Sequence, residues 1–421
     1  MIKLLILGTS LGSVEIVQTA KKMGCHTIVT DNLPPDRSYA KEVADEYWMI
    51  STNDIDLLEE KCRAEKIDAV FSGVSEFNLD RVIELTDRLG LPCYIDKTAW
   101  EYARNKHKFK NKCKEFGIPV VEEYYVSNPP LKQELSKIRY PVVVKPVDGA
   151  GNKGVSVCCN EDELIKGCKT ARENSDNGDI VVERYIKGEE TWNFYFLAEG
   201  KIQYVYSDRV IRHPGHPSFI YSFATTAMED YSEYREQLDQ KCTALLKDIG
   251  CSNGIAWIQF IRDESGHYYA LEMAHRLSAF TSGKVLKKVI GVDAIEWMLN
   301  LALGKSHTPD MLPKAAEPPY DAVHCVYFQF AERAGTIVSM QGDNELDAET
   351  YEVSKVAHEG TYVNKYRLLS RINFLARNAV EVCDRIREIN NKTRALDDNN
   401  DNMYFRFTDY DKIIESHKDL F

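Results

Sequence analysis

The residues with the clearest chemical potential lie at positions 140–156, where a lysine and a glycine-rich loop follow a short apolar run. Val142 to Val144 has the β-branched composition of a buried strand, and Lys145 comes directly after it. The glycines of the loop Gly149 to Gly154 let backbone N–H groups approach a ligand closely, which suits a phosphate chain. The order of residues differs from the P-loop, in which Gly-Lys-Ser/Thr closes the glycine run. A hairpin that carries a surface lysine is the alternative.

A second chemical signal begins in the predicted strand Ile180 to Glu183 and ends at Glu190. The strand leads into a short extended linker that has a carboxylate at each end, seven residues apart. An edge backbone in such a linker can contact an adenine through its N–H and C=O groups, and the second carboxylate can bind ribose hydroxyls. An ordinary strand–turn–strand with surface acids is the alternative.

Two apolar strands further along the chain, Gly254 to Phe260 and Tyr268 to Glu272, each carry an oxygen-bearing side chain. If these strands pair as a hairpin, Gln259 and Glu272 lie together. Their oxygens suit Mg²⁺, which completes its coordination with water and phosphate. Arg276 lies four residues beyond Glu272 and is placed to reach the same phosphate. The alternative is a buried Gln–Glu pair in which the two side chains bind only each other.

Taken together and in order, these segments resemble the ATP-grasp superfamily over residues 1 to about 310, and the remaining residues fit that family's C-terminal extension. Asn105-Lys106 stands where the family usually has Asp-Lys, although a lysine at a predicted helix start is also commonly a solvated residue. Lys145 and its glycine loop match the second ATP lysine and the flexible phosphate loop. Gln259 matches the first metal position, where glutamine occurs in the carbamoyl phosphate synthase branch.

The resemblance implies a site for ATP with Mg²⁺ or Mn²⁺, in which Gln259 and Glu272 hold the metal. Arg276 and Lys145 are the implied catalytic residues, because they stabilise the charge of the phosphate that is transferred. The ATP-binding residues that the resemblance implies are Lys106, Lys145, Gly149, Ala150, Gly151, Lys153, Gly154, Glu183, Arg184, Tyr185, Ile186 and Glu190.

The implied reaction is the ATP-dependent ligation of a carboxylate to an amine. ATP phosphorylates the carboxylate, and an amine or another nucleophile then displaces phosphate. The family's usual Glu-x-Asn-x-Arg ending has alanine at position 274, so one of two metal sites is weakened or completed by water. This ending favours the branch of amino-acid and dipeptide ligases. A ribotide-type enzyme of the purine pathway and a non-catalytic ATP-binding regulatory protein stay open as alternatives.

Substrate contacts are predicted outside the nucleotide site as well. Glu76 follows the predicted strand Ala69 to Ser72 at the switch-point side of the sheet, where it contacts a substrate amine or is a surface acid. Arg209 and Arg212 lie in a predicted loop rich in Pro and Gly, and they hold a carboxylate or phosphate unless the loop is merely solvated. Arg276 is the third arginine that can contact the substrate. The histidines at 213 and 216 have no evident third metal ligand.

The first turn of the chain, Gly8 to Gly12, admits two further interpretations. It lacks the middle glycine of the dinucleotide-binding pattern Gly-x-Gly-x-x-Gly. It fits Gly-x-Ser-x-Gly, with Ser10 as the nucleophile of a hydrolase, which also requires an acid and a histidine later in the chain. A turn that binds phosphate or substrate is favoured over both.

The elements that must position these residues indicate an α/β fold. The first hundred residues alternate strand and helix, which is typical of a parallel sheet with crossover helices. A helix is predicted over Trp100 to Phe116, and one long helix, Tyr231 to Ile249, among the strands of 190–304. The predicted domains are a Rossmann-like pre-ATP-grasp domain (1–97), a two-subdomain ATP-grasp domain (98–310) with a mobile lid (about 124–186), and an α+β C-terminal domain (311–421).

Composition narrows the class of protein. The net charge of −12 argues against broad nucleic-acid binding, and no stretch approaches the about 18 apolar residues that span a bilayer. Eleven cysteines without Cys-x-x-Cys indicate reduced thiols, and the opening apolar run is a first strand and not a signal peptide. We therefore expect a cytoplasmic protein that binds a small-molecule carboxylate and amine, with no nucleic-acid or membrane partner. A homodimer stays open.

Overall fold

The computed structural model describes residues 1–148, 153–212, 221–227, 231–314 and 321–417. The chain begins with a parallel sheet, as the sequence predicts, which has four strands in the order β3-β2-β1-β4. Its strands are apolar and buried because helices cover them. The elements of this N-terminal block are β1 (Lys3–Leu7), α1 (Ser13–Lys22), β2 (His26–Thr30), α2 (Tyr39–Val43), β3 (Glu46–Trp48), α3 (Ile55–Glu65), β4 (Ala69–Phe71) and α4 (Glu76–Leu89).

The single helix predicted over Trp100 to Phe116 is wrong, because the chain forms two helices there. They are α5 (Lys97–Arg104) and α6 (Lys106–Glu115). Asn105 separates them with an extended backbone, and its side chain accepts a hydrogen bond from the N–H of Lys108 at 3.0 Å. Asparagine is a strong N-cap, so it starts a new helix here. As a result Lys106 is the first residue of α6.

A second, antiparallel sheet of order β5-β8-β6-β7 carries the lysine of the glycine loop, and we call it the lid sheet. Helix α8 packs its apolar face, which includes Leu164 and Ala171, against Val142 and Val144 of this sheet. The packing fixes β6, and with it Lys145 near the end of that strand. The elements are β5 (Glu123–Tyr124), α7 (Lys132–Leu135), β6 (Val142–Pro146), β7 (Ser156–Cys158), α8 (Glu161–Glu173) and β8 (Ile180–Arg184).

The third sheet has eight antiparallel strands in the order β13-β12-β9-β10-β11-β14-β19-β17, and we call it the large sheet. Its central strands are buried on both faces. Tyr195 bonds through its hydroxyl to Tyr234 at 2.6 Å, while the next residue, Phe196, packs on Trp297. Since successive strand residues point to opposite faces, helices cover both sides. The first elements are β9 (Gly188–Ala198), β10 (Lys201–Arg212), β11 (Tyr221–Ala227), α9 (Tyr231–Tyr234), α10 (Gln240–Asp248), β12 (Gly254–Asp263) and β13 (Tyr268–Ala274).

The helices between residues 231 and 304 differ from the prediction in two ways. The helix predicted over Tyr231 to Ile249 is present, but five π-helical residues, Arg235–Asp239, join α9 to α10. Two further helices precede position 304, so the prediction of one helix in this region is wrong. They are α11 (Lys284–Ile290) and α12 (Ala294–Ala302).

The C-terminal residues extend the large sheet across the predicted domain boundary at 310. Strand β14 pairs with β11 and β19, and β17 forms the far edge, so the ATP-grasp and C-terminal domains predicted from sequence share one sheet. The exact domain limits stay a prediction. The elements are β14 (Val323–Phe330), β15 (Gly335–Thr336), β16 (Ser339–Gln341), β17 (Tyr351–Lys355), β18 (Tyr362–Val363), β19 (Leu368–Ala376), α13 (Ala379–Lys392), β20 (Arg394–Leu396) and α14 (Tyr410–His417). Among the described residues, no helix has the length and apolarity needed to cross a bilayer.

A buried arginine joins the N-terminal block to the large sheet. Arg371 on β19 is 1% exposed and donates to the carboxylate of Glu15 on α1. The same guanidinium donates to the carbonyls of Ala279 and Thr281, each at 2.9 Å. A second contact lies nearby, where the ring of Tyr39 stacks on His358 at 3.7 Å. The block is therefore fixed to the sheet by charge and by ring packing.

A second carboxylate lies beside this ion pair. Glu352 on β17 accepts hydrogen bonds from Ser282 at 2.8 Å and from Asn373 at 3.2 Å. Burial, and then the negative charge of Glu15, raise the pKa of Glu352 to about 7 in spite of the Arg371 charge. Because this pKa is raised, the folded protein binds the proton more tightly than the unfolded chain.

We predict that stability falls as pH rises from about 4.5 to about 7, by up to roughly 3 kcal/mol from this group, since the unfolded carboxyl ionises first. Glu352→Gln should remove that dependence because an amide does not titrate. Denaturant unfolding of both proteins between pH 5 and pH 8 measures it. Glu349→Gln is the control, because Glu349 lies on the same segment with its side chain 86% exposed. Parallel pH curves for the wild type and Glu352→Gln would contradict the prediction.

Candidate active site

The candidate site lies where the lid sheet approaches the β13 edge of the large sheet, and the start of α6 links the two. The backbone nitrogen of Lys106 lies 3.5 Å from the carbonyl of Val147, just after β6. Its ammonium lies 3.1 Å from Glu272 Oε2 on β13. The lysine predicted from Asn105-Lys106 therefore lies between the end of β6 and the predicted metal pair.

A carboxylate shared by two lysines forms the centre of the lid side. Glu183 on β8 is 3% exposed, and its two oxygens contact different ammonium groups. Oε1 contacts Lys145 from β6, and Oε2 contacts Lys110 from α6. Lys110 also lies 2.9 Å from Glu123 on β5, the strand residue directly opposite Glu183. His107 in turn lies 3.7 Å from Glu123.

Burial is the largest single influence on the pKa of Glu183, Lys110 and Lys145. For Glu183 and Lys110, however, the neighbouring charges outweigh burial and set the direction of the pKa shift. Burial favours a neutral carboxyl, yet the Lys110 and Lys145 ammonium groups hold the pKa of Glu183 below its usual range. Burial favours a neutral lysine, yet Glu183 and Glu123 raise the pKa of Lys110. For Lys145 burial prevails, helped by the charge of Lys110, and its pKa is lowered. The positive charge is therefore better compensated at Lys110 than at Lys145.

The predicted metal residues come together on the large sheet. Gln259 on β12 and Glu272 on β13 are directly opposite each other, which confirms the predicted hairpin pairing. Gln259 donates from Nε2 to Glu190 Oε2 on β9 at 3.1 Å, so three neighbouring strands present oxygen-bearing side chains. Among the described residues, no group of three or more His, Cys, Asp or Glu side chains is arranged around a common metal position. The predicted pair instead combines one amide with one carboxylate.

Arg276 follows β13 and contacts the N-terminal block. It donates to Glu76 Oε1 at 2.9 Å, and its guanidinium lies over the ring of Trp257, 5.0 Å from the centroid. Arg104 donates to the other oxygen of Glu76 at 3.1 Å. Burial would raise the pKa of Glu76, but these guanidinium groups and Lys106 lower it. Glu76 is therefore a charged carboxylate held by two arginines, and its contact with a substrate amine stays a prediction.

The predicted adenine linker, Glu183 to Ile186, includes the last two residues of β8 and the two residues that follow it. The N–H of Arg184 donates to the carbonyl of Glu122, and the N–H of Tyr185 donates to the carbonyl of Pro141, each at 3.0 Å. These two N–H groups serve the fold, while Ile186 packs in an apolar cluster that includes Val121. The adenine contact stays a prediction.

The glycine loop is described only at its second end. Lys153 is exposed, and Gly154 has a φ of +73°, a conformation that favours glycine. A Cβ at Gly154 would lie 2.8 Å from Cβ of Asn174. Gly149, Ala150 and Gly151 lie outside the described residues, so their predicted contacts are not placed.

The two remaining arginines lie in a strand and not in the predicted loop. Both belong to β10, which pairs with β9 on one side and β11 on the other, so the predicted loop at this point is wrong. Hydrogen bonding to both neighbours overrides the local Pro/Gly composition. Arg209 is 7% exposed, and its Nε lies 3.7 Å from Glu189. The side chain of Arg212 and the histidines His213 and His216 lie outside the described residues.

Sequence reasoning missed three charged residues of the site, which are Lys110, Glu123 and Arg104. A usable signal existed for Lys110, because it lies four residues after Lys106 and so on the same side of a helix. It is also adjacent to Phe109, which is fully buried. Glu123 gave no comparable signal, since its partner Glu183 is sixty positions away and only the β5–β8 pairing joins them.

Comparison with known proteins identifies the domain that carries these residues. The family model for the carbamoyl-phosphate synthase L chain, ATP binding domain, matches residues 105–308. The 2-oxoglutarate carboxylase small subunit of Hydrogenobacter thermophilus is 24% identical over 312 residues, which cover 69% of this chain and 64% of that protein. The carbamoyl phosphate synthase large chain of Agathobacter rectalis is 23% identical over 371 residues, 83% of this chain and 33% of that protein. The chain thus spans one third to just under two thirds of these relatives' length.

Solved structures share the fold over nearly the whole chain. The biotin carboxylase domain dimer of the H. thermophilus 2-oxoglutarate carboxylase has a TM-score of 0.76 at 18% identity, covering 93% of this chain and 90% of that one. An L-amino acid ligase from Bacillus licheniformis has a TM-score of 0.75 at 20% identity, and the match covers 93% of this chain and 98% of that one. Phosphoribosylglycinamide synthetase from Anaerococcus prevotii has a TM-score of 0.70 at 17% identity, and the match covers 94% of this chain and 99% of that one. Residues 105–308 therefore match an ATP-binding domain of the carbamoyl-phosphate synthase type, and nearly the whole chain shares the fold of these solved structures.

Proposed function

We propose that this protein is an ATP- and Mg²⁺-dependent ligase that activates a carboxylate as an acyl phosphate and joins it to an amine. The observation that supports the proposal is the convergence of two lysines, the predicted metal pair and an arginine within a fold shared with ATP-grasp proteins. These residues are Lys106, Lys145, Gln259, Glu272 and Arg276.

The nucleotide fits between the lid sheet and the large sheet. The H. thermophilus biotin carboxylase domain was solved with MgADP, and the Campylobacter jejuni biotin carboxylase in a β,γ-ATP complex. Lys145 from the lid and Lys106 from α6 supply positive charge on this side. Because the charge of Lys145 is incompletely compensated by Glu183, a phosphate beside it gains a favourable interaction.

The residues of the metal pair fit Mg²⁺, since amide and carboxylate oxygens are the ligands this ion prefers. Gln259 is 6% exposed and is held by its bond to Glu190, so its amide is fixed on β12. Glu272 lies opposite on β13 and pairs with Lys106. When bound, Mg²⁺ would neutralise phosphate charge and orient the phosphates.

Arg276 is placed to stabilise the acyl-phosphate step. A carboxylate oxygen of the substrate attacks the γ-phosphorus of ATP, and the bond to the ADP oxygen breaks. The amine then attacks the acyl carbon, the phosphate leaves, and the nitrogen loses a proton. A guanidinium that is already oriented stabilises the negative charge on the oxygens of the transferred phosphoryl group. Trp257 and Glu76 orient Arg276 in this way.

The substrate class proposed is an amino acid. The L-amino acid ligase structure is matched over 98% of its length by 93% of this chain, which supports an activity of that class. Two alternatives are carried by specific observations. The ribotide-type alternative is supported by the phosphoribosylglycinamide synthetase neighbour, covered over 99%. The non-catalytic alternative is supported by Ala274, a buried apolar residue where the family usually has a metal ligand. Homodimerisation is proposed by analogy with the biotin carboxylase domain dimer.

A phosphate-release assay over amino acids, dipeptides, hydroxy acids and glycinamide ribotide separates these alternatives. Release stimulated by amino acids, together with a mass-spectrometric peptide product, supports the ligase. Stimulation by the ribotide alone supports the purine-pathway alternative. Tight MgATP binding in calorimetry with no stimulated release over the whole panel supports the regulatory alternative.

Lys145→Ala should lower turnover by at least about 10²-fold, because a preorganised charge at the transferred phosphate is lost. Steady-state phosphate release with the stimulating substrate measures this. Lys169→Ala is the matched control, since Lys169 lies on α8 of the same lid with its side chain 79% exposed. Near-normal turnover of Lys145→Ala would exclude the proposed role of this lysine.

Glu272→Gln should raise the Mg²⁺ concentration needed for half-maximal nucleotide binding by at least about tenfold, because a carboxylate ligand is lost. Titration of Mg²⁺ at fixed ATP, followed by a bound fluorescent nucleotide, gives this value. Glu264→Gln is the control, because Glu264 belongs to the same β12–β13 hairpin with a side chain 69% exposed. An unchanged Mg²⁺ requirement in Glu272→Gln would place the metal elsewhere.

A further inference from the structure

The fully buried lysine of α6 has no place in the function proposed above. Lys110 is 0% exposed and lies one helical turn after Lys106, yet it faces the lid sheet and not the metal pair. It contacts Glu183 and Glu123, and Phe109 and Cys113 of the same helix are buried as well. Nothing in the resemblance to the ATP-grasp family assigned it a role.

The charge of Glu183 is balanced by two lysines, and one of them is the lysine proposed to bind the nucleotide. Its side chain is 4% exposed, and a buried carboxylate that loses its counter-ion is strongly destabilised. Lys145 contacts this carboxylate. If Lys145 turns to a phosphate, Glu183 loses one of its two cations. The remaining cation on the other oxygen is Lys110.

We propose that Lys110 is a positioning residue that holds the charge of Glu183 permanently, so that Lys145 can exchange this carboxylate for a phosphate of the nucleotide. The inference rests on the proposed function, because it assumes that Lys145 binds the nucleotide. Lys110 acts through Glu183 and Lys145 and does not itself contact the substrate.

The two lysines differ in the way this role requires. Lys110 has two carboxylate partners, Glu183 and Glu123, which are fixed opposite each other on paired strands. Lys145 has one described carboxylate partner and lies near the end of β6, before the glycine loop, with its side chain 11% exposed. Lys110 is therefore held by two carboxylates of the lid sheet, whereas Lys145 is able to turn toward the proposed nucleotide site. Lys106 does not replace either, since it pairs with Glu272 on the large sheet.

The test is a double-mutant cycle on MgATP affinity, measured by isothermal titration calorimetry. Lys110→Met should weaken binding by about 10- to 100-fold, because movement of Lys145 then strands a buried carboxylate. In the Glu183→Gln background the same substitution should change affinity by less than about threefold, because no charge is left to strand. Lys110→Arg should restore most of the affinity lost in Lys110→Met.

Lys112→Met is the matched control, because Lys112 lies on the same helix but pairs with Glu115 and Asp248 away from the lid. Its affinity should equal that of the wild type. Thermal unfolding of each variant shows which are folded. If Lys110→Met does not fold, the comparison of Glu183→Gln with Lys110→Met/Glu183→Gln decides, since equal affinities support the proposal.

Two results would overturn the inference: wild-type affinity in folded Lys110→Met, or an equal loss of affinity with and without Glu183. Either result leaves the proposed function intact if the wild type binds MgATP and Lys145→Ala is inactive. Failure of the wild type to bind MgATP would instead overturn the proposed function, and the role of Lys110 with it.

Discussion

The shared carboxylate of Glu183 is the interaction on which the nucleotide side of the site depends. It joins α6, β6 and β8 through Lys110 and Lys145, and Glu123 extends the network to β5. Charges at this depth are tolerated only when each has a partner of opposite sign. The geometry of the lid sheet is therefore constrained by electrostatics as well as by the apolar packing of α8 on β6. Lys145, near the end of β6, is positioned by the same requirement.

A second set of charged contacts constrains the substrate side. Arg276 bonds to Glu76 from the N-terminal block, and Arg371 bonds to Glu15 from the same block. Arg371 also binds the carbonyls of Ala279 and Thr281, just after Arg276 in the chain. The two contacts thus meet at one short segment, so the position of Arg276 depends on how the N-terminal block is docked on the large sheet.

The predicted metal pair, Gln259 and Glu272, lies near a position at which this chain departs from the usual family pattern. The alanine at position 274 is 1% exposed and lies opposite Trp257, so it contributes packing where the family usually has a polar residue. Trp257 in turn supports the guanidinium of Arg276. Ala274 therefore lies beside the aromatic ring on which the arginine rests. The remaining donors, an amide and a carboxylate, still suit a hard cation that keeps several waters.

Local patterns in the sequence predicted the parallel sheet of the N-terminal block, the strands that carry Lys145, Glu183 and Glu272, and the pairing of Gln259 with Glu272. Each of these depends on residues close in the chain, because strand composition, turn glycines and hairpin pairing are local properties. The break of the helix at Asn105 was also encoded locally, as an N-cap inside a long polar run, but the lysine-rich composition concealed it. Arg209 and Arg212 were placed in a loop because prolines and glycines follow them, whereas pairing with β9 and β11 extends the strand.

The sequence alone therefore determined the fold class and the identity of the charged residues near each strand end. It did not determine which charges meet. Glu183 is separated from Lys110 by 73 positions and Glu76 from Arg276 by 200, and such pairs form only when sheets and helices are packed together. Whether a buried lysine is a structural counter-ion or a group that binds phosphate depends on how many carboxylates surround it. That number is a property of the tertiary structure, since each carboxylate comes from a different strand.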